Sequence, residues 1–77
     1  MKRYFFNLSD GTFEPDQEGT ELPDDQHAQQ QAIRFAGDVL RHEPHRLGDG
    51  HLRIDVSVAN ESVLFAIDIS LERNAEA

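Results

Sequence analysis

Large and polar residues alternate from Arg3 to Leu8, with Tyr4, Phe6 and Leu8 on one face of a pleated strand and Arg3, Phe5 and Asn7 on the other. Asp10-Gly11 suits a two-residue hairpin, because both central positions of a type I′ turn need positive φ. That turn predicts Leu8 opposite Phe13 and Phe6 opposite Pro15, with Phe13 joining the face of Tyr4, Phe6 and Leu8. Proline gives the ladder no N–H, so the second strand should be short and lie at an edge. Ala28, Ala32, Phe35, Ala36, Val39 and Leu40 then recur at helical spacing, while Gln26, Gln29, Gln30, Arg34, Asp38 and Arg41 fall on the wet side. Asp24 or Asp25 is a natural N-cap after the Leu22-Pro23 corner, and Pro44 ends the helix. Such a helix runs about 27 Å at ~1.5 Å per residue, which matches an eight-residue strand at ~3.3 Å per residue.

The strongest pattern lies near the C-terminus. With Asn60-Glu61 as the turn, Val58 faces Val63, Val56 faces Phe65, Ile54 faces Ile67 and Leu52 faces Ile69 on one side. The other side pairs Ser57 with Leu64, Asp55 with Ala66, and Arg53 with Asp68 as an ion pair. The predicted order is β-β-α-β-β: an α+β two-layer fold with an antiparallel-rich, four-stranded sheet and one helix on the large apolar face. Residues 1–71 form its single domain, and residues 72–77 read as a flexible C-terminal tail. The second sheet face carries Phe5, Leu64 and Ala66 among Arg3, Asn7, Glu14, Arg53 and Asp55. Phe5, Leu64, Ala66 and Arg53 form a modest patch there that a partner or second subunit can cover.

Composition narrows the functional classes. Seventy-seven residues, 38% of them hydrophobic, sit near the lower size at which one core holds without staples or a partner, so a homodimer is expected. The absence of cysteine excludes disulfides and thiolate zinc sites. With no apolar run suited to a signal or a membrane span, a cytoplasmic protein is expected. A formal charge of -8 opposes binding to phosphate backbones and anionic membranes, so nucleic acid and membrane are disfavoured against a basic or neutral protein partner. The charge is uneven. No Lys or Arg lies between Arg3 and Arg34, whereas Arg34 to Arg53 holds four Arg and three His.

Met1-x-Arg3-Tyr4-Phe5-Phe6, the Asp10-Gly11 turn, Asp16-x-Glu18-Gly19-x-Glu21-Leu22-Pro23-Asp24 and the alanine-bearing helix together resemble a family of small bacterial proteins of unknown function, mainly from plant- and soil-associated alphaproteobacteria. The resemblance spans nearly the whole chain and implies the same architecture, with no activity attached. At the level of topology, the hairpin, the L-P-D corner and the alanine-rich helix also resemble the antitoxin half of HicA/HicB-type toxin–antitoxin pairs.

Each candidate site has a structural competitor. His42, His45 and His51 offer imidazoles for a zinc, nickel or copper ion, but a helix C-terminus also favours His and Arg, and Pro44 breaks the i, i+4 face. No metal and no cofactor is therefore assigned. The seven carboxylates from Asp10 to Asp25 lack calcium-loop spacing, and turns and caps account for several of them. The remaining use of Glu14, Asp16, Glu18 and Glu21 is as an acidic segment for a basic partner. Tyr4, Phe5 and Phe6 beside Lys2 and Arg3 could stack nucleobases, yet two of the rings face the core. No nucleophile elbow, phosphate loop or zinc-protease helix is present, so no catalytic residue is assigned. A non-enzymatic, self-associating interaction module is expected, with an antitoxin-like inhibitor as the alternative and a His-based metal sensor as the weaker one.

Overall fold

The computed structural model describes residues 1–59 and 62–74. In chain order it has β1 (Lys2–Ser9), β2 (Phe13–Glu14), β3 (Thr20–Leu22), α1 (Asp25–His42), a short 3-10 helix (Pro44–Leu47), β4 (His51–Val58) and β5 (Val63–Ser70). One antiparallel sheet runs β2-β1-β4-β5, and β3 pairs with β1 on the edge that β2 also occupies. The two-layer α+β architecture is the expected one.

The core forms where the central strands meet the helix. Tyr4, Phe6 and Leu8 of β1 and Leu52, Ile54 and Val56 of β4 are buried against Ala28, Ala32, Ala36 and Val39 of α1. The helix offers mostly methyl groups, so the bulk comes from the sheet: the largest fully buried side chains are Tyr4, Leu52, Ile54 and Val56. Burying such side chains is the main favourable contribution to a fold of this size. The Asp24 carboxylate caps α1 by accepting the His27 N–H at 2.9 Å, and the Glu43 N–H closes the last turn on the Val39 carbonyl at 2.7 Å. Beyond β5, residues 71–74 have no regular secondary structure, although the Leu71 N–H reaches the Gly50 carbonyl at 2.9 Å. The remainder of the expected tail, 75–77, lies outside the described residues.

The first hairpin corrects the sequence reading. Ser9 pairs with Phe13 and Leu8 with Glu14, so the loop is Asp10-Gly11-Thr12, with Gly11 at φ 103°. A one-residue slip exchanges the faces of the returning strand. Phe13 therefore sits on the face of Ser9, 58% exposed, instead of joining the core, and Glu14 moves to the face of Leu8. The second strand is short and at an edge, as Pro15 requires, but it resumes as β3, which the sequence pattern did not reveal. Three residues of β1, Phe5 to Asn7, lie between the pairs Tyr4↔Thr20 and Leu8↔Glu14, against five on the returning chain. The surplus bulges outward, and the Phe6–Pro15 pairing does not form.

β4 and β5 match the expected register over most of their length. Leu52↔Ile69, Ile54↔Ile67, Val56↔Phe65, Arg53↔Asp68 and Asp55↔Ala66 all form. A bulge then brings Val63 opposite Ser57, displacing the expected Val58–Val63 and Ser57–Leu64 pairs and leaving Leu64 as the extra residue. Ala59 at φ 55° starts the connection. The expected Asn60-Glu61 turn lies outside the described residues.

Candidate functional site

Most of the acidic run is committed within the fold. Asp16 stands in the β2–β3 bulge, and its carboxylate accepts the N–H groups of Phe6, Glu18 and Gly19 at 3.2, 3.1 and 3.0 Å. Its own N–H donates to the Asn7 side-chain oxygen at 2.9 Å. Asp16 thus supplies the acceptor that a continuous second strand would have given the Phe6 N–H. Gly19 closes the bulge at φ 76°, where an added Cβ would lie 2.8 Å from the Arg3 side chain and 3.0 Å from the Phe5 ring. Arg3 reaches over this loop to the Glu18 carbonyl at 2.8 Å and the Glu21 carboxylate at 3.2 Å.

A second knot ties the hairpin to the helix exit. The Arg46 guanidinium, 17% exposed, lies against Asp10 at 3.1 Å, Glu43 at 2.8 Å and Glu14 at 2.5 Å. Its hydrogen bonds to Glu14 and Glu43 hold its pKa above the ordinary range despite desolvation. On sequence alone Arg46 resembled one more basic residue at a helix C-terminus; besides the neighbouring Glu43, its partners Glu14 and Asp10 lie 32 and 36 residues away. At the helix entrance the Tyr4 hydroxyl donates to Asp25 at 2.6 Å, which Lys2 approaches at 3.8 Å. Of Glu14, Asp16, Glu18 and Glu21, the first two and the last are held by internal partners, while the exposed Glu18 contributes only its backbone. Between this edge and α1 lies an open cleft of about 410 Å³, floored by Phe6, Leu8 and Phe35 and rimmed by Glu14, Asp16 and Asp38.

The second sheet face is more polar than its apolar residues suggested. Arg53 bridges Asp55 at 2.7 Å and Asp68 at 2.9 Å, and these carboxylates raise its pKa, Asp55 foremost. Phe5 is half-buried beside Gly19, and Ser57 stands across the ladder from it, between Phe5 and the β5 end of the patch. Ser57 is itself buried, and Leu64 is 46% exposed at the β5 end.

The histidines stay apart in their contacts. The His42 ring meets the Asp38 carbonyl at 3.0 Å, His45 lies in the 3-10 helix, and His51 faces Asp68 at 3.2 Å. Among the described residues no group of three or more His, Asp or Glu side chains is placed to hold a metal ion.

β5 is the surface that pattern reading undervalued. It pairs with β4 on one side and with no strand on the other among the described residues. None of its eight residues is buried: Phe65, Ile67 and Ile69 are only partly covered, and Val63 and Leu64 are 48% and 46% exposed. The helix explains this. Its Gln31, Phe35 and Asp38 flank borders the cleft beside β2, and its buried stripe covers β1 and β4. At about 100° per residue the opposite flank, with Leu40 and the 56% exposed Ile33, turns toward β5 without burying it. The alternating apolar run of Phe65, Ile67 and Ile69 was visible in the sequence; the strand order that leaves it at an edge was not.

No helix among the described residues is long and apolar enough to cross a membrane. No curated protein and no solved structure matches the chain. A family model does match, over residues 3–70, which takes in the helix and all of the sheet but Lys2: the chain belongs to the family described as a domain of unknown function, DUF6894.

Proposed function

We propose that this protein is a small, non-enzymatic interaction module that associates with itself through the sheet. The observation that carries the reading is β5, an eight-residue edge strand with one ionisable side chain, Asp68, and no buried residue. Long apolar edge strands invite pairing, and monomeric proteins blunt them with lysine, proline or a covering element. Among the described residues β5 has no lysine, no proline and no strand on its free side, and only the bulge at Leu64 interrupts it. The size of the chain points the same way, since a core of this extent gains from apolar area buried between copies. As an interaction module it needs no cofactor or metal, and it works in the bacterial cytoplasm, in keeping with the resemblance of its M-x-R-Y-F-F opening to alphaproteobacterial proteins.

The antitoxin-like reading, in which Glu14, Asp16, Glu18 and Glu21 engage a basic partner, has less support. Binding through Asp16 or Glu14 would cost the bulge its backbone partners or Arg46 its strongest contact. The metal-sensor reading through His42, His45 and His51 has no supporting geometry. Static light scattering over a concentration series tests the preferred function. The expected mass is twice the 8.7 kDa of the chain at high micromolar concentration, and a constant 8.7 kDa would remove self-association.

A further inference from the structure

We propose that β5 is the docking site for a second copy of this chain, whose own β5 pairs with it antiparallel about a two-fold axis perpendicular to the sheet at Ile67. The inference rests on the self-association proposed above and specifies how it is built. Charge selects the occupant. The chain carries a formal charge of -8, so two copies meet at least cost where each is nearest neutrality. The acidic run lies along β2 and β3, at the edge of the sheet remote from β5. On β5 the only charge is Asp68, already faced by Arg53 and His51. A strongly basic partner would find its complement at the β2–β3 edge, whereas the β5 edge is apolar and complementary to itself.

Register follows from face and shape. Directly opposed residues of an antiparallel pair point to the same face, so the strand must pair with its copy about a residue and not about a peptide bond. The bulge at Leu64 leaves Phe65 to Ser70 as the straight part of β5, with Ile67 and Asp68 as its two central residues. Centring on Asp68 would oppose two carboxylates. Centring on Ile67 sets Phe65 against the partner copy's Ile69 and Ile67 against its equivalent, on the helix-covered side. Asp68 then faces Ala66 of the other copy. Both helices lie on the same side of a continuous sheet, and each copy's half-exposed Phe65 and Ile69 gain a neighbour.

Ala66→Glu and Ala66→Lys, compared with the wild type by sedimentation velocity, test this. Far-UV circular dichroism verifies that each variant folds. In the Ile67 register residue 66 faces the other copy's Asp68 at two symmetric places. The glutamate variant should therefore weaken the dimer by about tenfold, and the lysine variant should hold it as tightly as wild type or more so. Weakening by both variants would overturn the register. A dimer indifferent to both would overturn the edge pairing while leaving self-association standing. A monomer at every concentration would overturn self-association itself. Should Ala66→Glu fail to fold, Ile67→Cys in this cysteine-free chain provides a second reading. A short bis-maleimide should join it into a covalent dimer and leave Thr20→Cys, on the far edge, uncoupled; equal coupling of the two would overturn the proposal.

Discussion

Single residues in this protein carry tasks that the sequence assigned to whole elements. Arg46 is the clearest case, because one guanidinium compensates Asp10, Glu14 and Glu43 at the junction of hairpin and helix exit. Arg46→Met keeps much of the side-chain bulk and leaves three carboxylates facing one another. Its denaturation midpoint in urea should fall at low salt and recover partly as salt is raised, since screening relieves exposed like charges. A loss that ignores salt would mean that Arg46 acts through packing alone. Tyr4 gives a pH signature. Its hydroxyl is held by Asp25 and is fully buried, and the hydrogen bond, then burial, pushes its pKa from 10.0 up to about 12. A pKa raised on folding stabilises the protein fully below the unfolded value and loses that contribution as pH climbs through the folded one. Stability should therefore decline between pH 10 and about 12, and Tyr4→Phe should flatten that limb. Tyr4 is the only tyrosine, so its ultraviolet absorbance follows this one group. A midpoint near 10 in the folded protein would contradict the Tyr4–Asp25 bond.

Elements show where pattern reading succeeds and where it stops. The helix and its end at Pro44, and the β4–β5 register from Leu52 to Val56, were legible, and the N-cap was narrowed to Asp24 or Asp25, of which Asp24 takes the role. Periodicity and capping are local, and both strands of that pair announce the same face. The first hairpin was legible only in part, because Asp10-Gly11 suits a two-residue and a three-residue loop alike and a single residue decides which face Phe13 joins. The bulge, β3 and the Asp16 clasp were not legible, since they depend on side chains bonding to a strand met ten residues earlier. Gly19 tests this element. Gly19→Ala must carry a side chain at φ 76° and press against Arg3 and Phe5. Backbone strain alone should cost about 1–2 kcal/mol, lowering Tm by at least about 4 °C. An unchanged Tm would show that the bulge relaxes without cost.

At the scale of the molecule the charge and the apolar surface separate to opposite edges. Carboxylates gather along β2 and β3, where Arg3 and Arg46 and the backbone N–H groups of the bulge answer most of them. Phe65, Ile67 and Ile69 line the other edge, beside the Ile33 and Leu40 flank of the helix. The sequence pointed to a partner through Phe5, Leu64, Ala66 and Arg53. The Arg53–Asp68 pair was legible in the β4–β5 register; the structure adds Asp55 to it, and the strand order makes β5 the larger open apolar surface. The proposed function is less legible than the fold, because the proposal rests on which edge is uncovered among the described residues, a property that no single segment encodes. Amide hydrogen exchange at low and high protein concentration tests the self-association through β5 most directly. Val63–Ser70 should exchange more slowly at high concentration while Thr20–Leu22, on the opposite edge, stays unchanged. Exchange in Val63–Ser70 that is the same at both concentrations would contradict it.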